Sequence, residues 1–252
     1  MSQVRCRSDI QKDPRQYRQR VKSTDLVSFR VTVKETDLLV SAESDLTREV
    51  LAAVWKYRHQ VEEYIEKDPG FKESLSPYPV DPFAPRIVQE MAAAAKTVGV
   101  GPMAAVAGAV AEFVARDLLP LSPQVILENG GDIYLVTRKP RTMSIFTENR
   151  SLPSFVDILI QPEQTPLGVC TSSGTEGPSL SFGRADAVTV ISPSAVLADA
   201  AATAVGNLVQ SKRDVQKALD FLGKIPQVRG GAVFVDGEMG FWGEIELIEA
   251  NE

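Results

Sequence analysis

Over residues 26–42 the chain reads LVSFRVTVKETDLLVSA, in which apolar and polar positions alternate on either side of a polar turn at Glu35 to Asp37. A period of two puts alternate side chains on one face, so this stretch predicts a β-hairpin with one buried face. The period then changes. Val50, Leu51, Val54, Tyr57, Val61 and Ile65 recur at helical spacing and predict a helix over residues 46–65. Five prolines in residues 68–85 end the periodicity and predict a surface connection, with Phe71, Tyr78 and Phe83 available to pack. Further helices are predicted over 85–96 and 103–119. Around the second of these Gly101, Ala105, Gly108 and Ala111 fall in line, so one face carries almost no side chain. Another element must approach it closely, either a packed sheet or a bound cofactor.

From Pro123 onward β-rich runs dominate: QVILENGGDIYLV, TMSIFTE, SFVDILIQ, GVCTSS and DAVTVIS, separated by polar turns. Helices return over 198–210 and 214–222, and GGAVFVDG with GFWGEIELIE predicts a closing hairpin. Neither a strict βαβ alternation nor an internal repeat is present. The pattern predicts an α+β fold, a single domain with helices packed on an antiparallel or mixed sheet. That domain is expected over 26–252, after a basic arm over 1–25 in which seven Lys and Arg outweigh Asp9 and Asp13.

Composition narrows the partners. With 44% hydrophobic and 24% charged residues the 252-residue chain is an ordinary globular protein. A net charge of -6 argues against nucleic acid, whose binding rests on clustered cations. The longest apolar helix is too short for a bilayer core of about 30 Å, so no membrane role is expected. The first residues lack the apolar run of a signal peptide, and a cytoplasmic protein is expected. A homo-oligomer is compatible with this composition. Cys6 and Cys170 are too few for a disulfide framework, and Cys170 reads as a small buried strand residue. The only histidine, His59, lies in a helical pattern far from the glycine-rich segments.

Three segments carry candidate chemistry. In ADAAATAVGN, Asp199 and Thr203 stand four residues apart on one helix face, where a carboxylate and a hydroxyl can reach one hard cation. The alternative is a buried small-residue helix with Asp199 as its cap and Thr203 bonded back to its own turn. In TSSGTEG, the hydroxyls of Thr171, Ser172, Ser173 and Thr175 beside Gly174 suit a phosphate, although no P-loop ending follows. In ENGGDIYL, Gly130 and Gly131 predict a tight primed turn, flanked by Asn129 and Asp132, which could hold a ribose, an adenine edge or a metal-bound water.

VGVGPMAAVAGAVAEFV, ENGGDIYL, GVCTSSGT, SLSFGRADAVTV and ADAAATAVGN, in this order, resemble an uncharacterised family of ApbE-like proteins, related to the enzymes that transfer FMN from FAD onto a threonine of a target protein. The resemblance runs from about residue 28 to the end. It implies that Gly130, Gly131 and Asp132 line a flavin site, and that Asp199 and Thr203 hold a Mg²⁺ on the FAD pyrophosphate. The chain also departs from the transferases. Their histidine, followed by proline and glycine, is missing from the region of SLSFGRADA, and Met103 and alanines replace the Lys or Arg and Tyr of their small-residue helix. The resemblance therefore implies the fold and a pocket for a small phosphate-bearing ligand, FAD or FMN with Mg²⁺, rather than FMN transfer itself. A non-catalytic binding or assembly protein, or a factor in anaerobic sulfide assimilation with Cys170 as the residue to watch, are the other readings it allows.

Overall fold

The computed structural model describes residues 25–146, 155–173 and 183–248. The first hairpin forms as expected from β1 (Val27–Val33) and β2 (Thr36–Ala42), with its turn one residue early at Lys34, whose φ is +52°. Helix α1 (Thr47–Lys67) follows and buries Val50, Val54, Tyr57 and Val61. In the proline-rich connection, a one-turn helix α2 (Gly70–Glu73) buries Phe71 edge-on against Tyr64 at 5.2 Å. Phe83, expected to pack, is instead 95% exposed. After α3 (Arg86–Val98), the helix expected from residue 103 begins as a 3₁₀ turn, Pro102–Ala105, and becomes α-helical only as α4 (Val106–Leu118).

Strands β3 (Val125–Asn129), β4 (Asp132–Val136), β5 (Arg141–Phe146), β6 (Phe155–Ile160), β7 (Leu167–Ser172) and β8 (Ala187–Ser192) match the predicted runs. Helices α5 (Ala195–Leu208) and α6 (Val215–Leu222) precede β9 (Gly230–Val235), β10 (Glu238–Gly243) and β11 (Glu246–Ile248). Eight strands form one sheet in the order β1-β2-β3-β4-β7-β8-β9-β10, antiparallel at every junction. The predicted closing hairpin is β9 with β10. Strand β11 leaves it to pair with β6 in a second sheet, β11-β6-β5.

The fold is therefore three-layered. One face of the large sheet meets the helices through Leu127, Tyr134, Cys170, Val188 and Val233. Its other face meets the small sheet through Leu135, Val169, Ile191 and Phe234 packed with Met143, Ile145 and Ile158. Burial on both faces explains why β8 and β9 are buried at every residue, where a half-exposed strand would alternate. No single described helix is long and apolar enough to cross a membrane.

The bare face of α4 is filled by α5. A Cβ on Gly108 would stand 2.3 Å from the Ala195 carbonyl oxygen and 2.8 Å from Asp199 Cβ, and one on Gly168 in β7 would stand 2.4 Å from Ala195 Cα. The first turn of α5 is thus wedged between a helix and a strand that both carry glycine at the contact. The expected close neighbour is a helix, neither a sheet nor a ligand. Gly108→Ala should accordingly lower stability by about 1–3 kcal/mol, the usual range for overpacking. Thermal unfolding reads this directly. An unchanged or raised Tm, as helix propensity gives at an open position, would show that the helices do not meet there.

Candidate functional site

At the β3–β4 turn, Gly130 and Gly131 have φ of +67° and +108°, a pair of values that only glycine adopts without strain, and the turn is of the predicted primed type. It sets Asn129 opposite Asp132. Because side chains alternate along a strand, Asp132 lies on the face of Tyr134, towards the helices. Strand β7 runs beside β4, with Val169 opposite Ile133, and brings Cys170 to that same face. Asp132 is 7% exposed. The Thr171 backbone N–H serves its carboxylate and the Cys170 sulfur lies beside it, yet among the described residues Oδ1 has no hydrogen-bond partner.

From the helix layer α5 presents Asp199. The residue is not the cap of its own helix. Ser194 fills that role, accepting from the Leu197 N–H, and Asp199 sits a full turn further on. Its Oδ2 accepts the Gly108 N–H at 2.8 Å, so this carboxylate closes the first turn of α4, where helix N–H groups lack intrahelical partners. Asn129 supports the same turn by donating its Nδ2 to the Ala107 carbonyl at 3.0 Å. Thr203 lies one turn beyond Asp199 on the same face and is half-buried.

The expected phosphate loop divides between the two faces of the sheet. Ser172 is buried on the face of Cys170, whereas the Thr171 hydroxyl is bonded to that of Thr189 at 2.8 Å on the opposite face, leaving only its backbone beside Asp132. Ser173 is half-buried at the strand end. Gly174 and Thr175, like nearly all of the basic arm, lie outside the described residues. Glu128, on the far face, accepts the Gly131 N–H at 2.8 Å and steadies the turn. His59 is far from this cluster in chain and fold, 74% exposed on α1.

Electrostatics make the pair of aspartates unusual. Burial holds Asp132 well above the carboxylate range, and the neighbouring Asp199 charge adds to the shift. Burial also pushes Asp199 up to about 7, against the pull of the Gly108 and Ala107 N–H groups. Two nearby carboxylates in a poorly solvated place cannot both ionise cheaply without a cation. The Cys170 thiol is pushed well up, first by burial and then by both aspartates, and donates to the Ala195 carbonyl at 3.4 Å. It is a neutral thiol at neutral pH, the wrong form for a nucleophile.

Comparison with known proteins places this fold in a class. The structure matches those of ApbE flavin transferases: that of Pseudomonas stutzeri in its apo form at 12% identity and TM-score 0.57, over 88% of this chain and 94% of that one. A mutant of the Vibrio cholerae enzyme matches at 14% identity and TM-score 0.56, over 86% and 97%. At such identities the likeness is one of fold. Sequence goes further. The family model described as AbpE bacteria matches residues 18–224. UPF0280 proteins of Methanocella arvoryzae and Methanocaldococcus jannaschii are 38% and 37% identical, over 86% and 88% of this chain and 88% and 93% of theirs. The chain belongs to this ApbE-like family.

The raised Asp199 value has a consequence for stability. Between its unfolded value near 3.8 and about 7 the folded protein holds a proton that the unfolded chain has lost, so this group favours unfolding increasingly as pH rises through that window. Asp199→Asn keeps an acceptor for Gly108 and removes the charge. Its Tm in metal-free buffer should gain on wild type by more at pH 8 than at pH 5. A difference independent of pH would show that Asp199 ionises normally.

Proposed function

We propose that the protein binds a flavin nucleotide, FAD or FMN, through its phosphates at the Asp132–Asp199 cluster, with Mg²⁺ shared between Asp199, Thr203 and the nucleotide, and that it does not transfer FMN to a target threonine. The observation that carries the reading is the Oδ1 of buried Asp132, which has no partner among the described residues, beside a second carboxylate, a donor set that suits a hard cation. No cluster of three or more His, Cys, Asp or Glu side chains able to hold a metal occurs among the described residues. That fits Mg²⁺, which keeps waters and is commonly held by one or two carboxylates together with substrate phosphates.

Each residue then has a task. Asp199 holds the cation with one edge while Gly108 fixes the carboxylate's orientation. The Gly130–Gly131 turn lets the backbone approach a ligand closely, since nothing lies within 4 Å of a Cβ built on Gly130. Bound Mg²⁺ would supply charge neutralisation for a pyrophosphate. What the described site lacks is the transferases' histidine as acceptor for the proton of an attacking threonine: the only histidine is exposed on α1, Cys170 is a neutral, buried thiol, and the Asp199 carboxylate, raised to about 7, is committed to the cation. The fold relationship to flavin transferases supports the flavin, and the missing base supports binding without transfer. The state of Cys170 also disfavours sulfur chemistry at that residue.

Calorimetry with FAD, with and without Mg²⁺, tests the proposal. Wild type should bind FAD more tightly with Mg²⁺, and Asp199→Ala should abolish the Mg²⁺ dependence. The variant itself is expected to lose about 1 kcal/mol of stability, as for a lost helix cap. Absence of binding heat in wild type contradicts the reading. A covalent flavin adduct on an acceptor peptide, seen by mass, would restore the transferase activity denied here.

A further inference from the structure

We propose that Glu112, on α4 and outside the candidate site, is a positioning residue that sets where Asp199 presents its carboxylate; the inference rests on the Mg²⁺–flavin reading above. Glu112 is 1% exposed, a carboxylate that directly follows six small or apolar residues at the start of α4. Its Oε2 accepts from the Ser194 hydroxyl at 3.0 Å and from the Val196 N–H at 3.1 Å, and its Oε1 is bonded to Arg116 one turn on. Arg116 in turn reaches Glu90 on α3 at 3.2 Å.

The arrangement is reciprocal. Asp199 of α5 accepts the Gly108 N–H at the start of α4, and Glu112 of α4 accepts the Val196 N–H at the start of α5. In each helix the carboxylate stands four residues after the contact residue, Gly108 or Ala195, and those two residues touch. Each helix thus closes the open first turn of the other. The Gly108–Ala195 and Gly168–Ala195 contacts fix how closely α5 approaches α4 and β7, but being van der Waals contacts they set its register along α4 less sharply than a directional bond does. Glu112 adds that direction by holding the cap residue and the second residue of α5 at once. Asp199, one turn further along the same rigid helix, inherits its position. Glu112 itself touches no ligand.

Burial raises the proton affinity of Glu112, while Arg116, the Val196 N–H and the Ser194 hydroxyl lower it. The facing charged groups are Arg116 and Glu90, and the clasp works through hydrogen bonds rather than through a change of charge.

The test separates positioning from mere packing. Glu112→Asp shortens the reach by one methylene and cannot hold α5 and Arg116 together, whereas Glu112→Gln keeps the length and an acceptor oxygen for Val196. Outer partners of metal ligands typically contribute about 10- to 100-fold in metal affinity. Glu112→Asp should therefore weaken Mg²⁺-dependent FAD binding at least about tenfold, leave FAD binding in chelator unchanged, and be largely rescued in Glu112→Gln. Wild-type affinity in folded Glu112→Asp overturns the proposal. If that variant does not fold, Ser194→Ala, which removes one of the two contacts to α5, is measured against the same criteria. Should wild type bind no FAD, the Mg²⁺–flavin reading fails, and hydrogen exchange decides the positioning. Faster exchange of the Gly108 amide in the variant, relative to β9 amides, supports it; an unchanged rate overturns it.

Discussion

The close crossing of α4 and α5 is the constraint on which the remaining structure rests. Backbone meets backbone at Gly108 and Ala195, with no room for a single added carbon, and Gly168 admits the same turn of α5 against the sheet. Such proximity brings a carboxylate within hydrogen-bond reach of a neighbouring helix's free N–H groups. It also carries Asp199 into the neighbourhood of Asp132 and Cys170 on the strands below. A crossing one side chain wider would lose the Asp199–Gly108 bond, and the two aspartates would relax towards ordinary carboxylates.

That strain between like charges is where fold becomes function. Both groups are held above their usual range chiefly by burial, and a protein gains no stability from keeping them so. In the proposed complex a cation held by Asp199 would reverse that balance, since its charge favours the ionised form of both carboxylates. The same burial that raises the aspartates keeps Cys170 a neutral thiol, which accords with the proposed binding role.

Much of this was legible in the sequence. Period-two and period-3.6 patterns located the strands and helices to within a few residues, and the Asn129–Asp132 turn followed from two adjacent glycines. The bare stripe around Gly108 announced a close neighbour, though not that it would be another helix. Two features were hidden. The second sheet gives no signal of its own, because β5 and β6 alternate like any strands and β11 joins them from the far end of the chain. In sequence Glu112 is a lone carboxylate within AVAGAVAEFV, and only the pairing of its helix with α5, more than 80 residues later, shows what a buried carboxylate does there. Strand alternation could have separated Thr171 from Ser172; reading the hydroxyls as one loop concealed it.

The account stands on a cation held by Asp199 and Thr203 beside Asp132. Crystals grown with FAD and Mn²⁺ in place of Mg²⁺ would locate it by anomalous scattering at the manganese edge. The prediction is one strong peak in contact with the Asp199 carboxylate and a flavin phosphate, beside the β3–β4 turn. Nucleotide bound elsewhere, or bound at this turn with no metal peak, would contradict it.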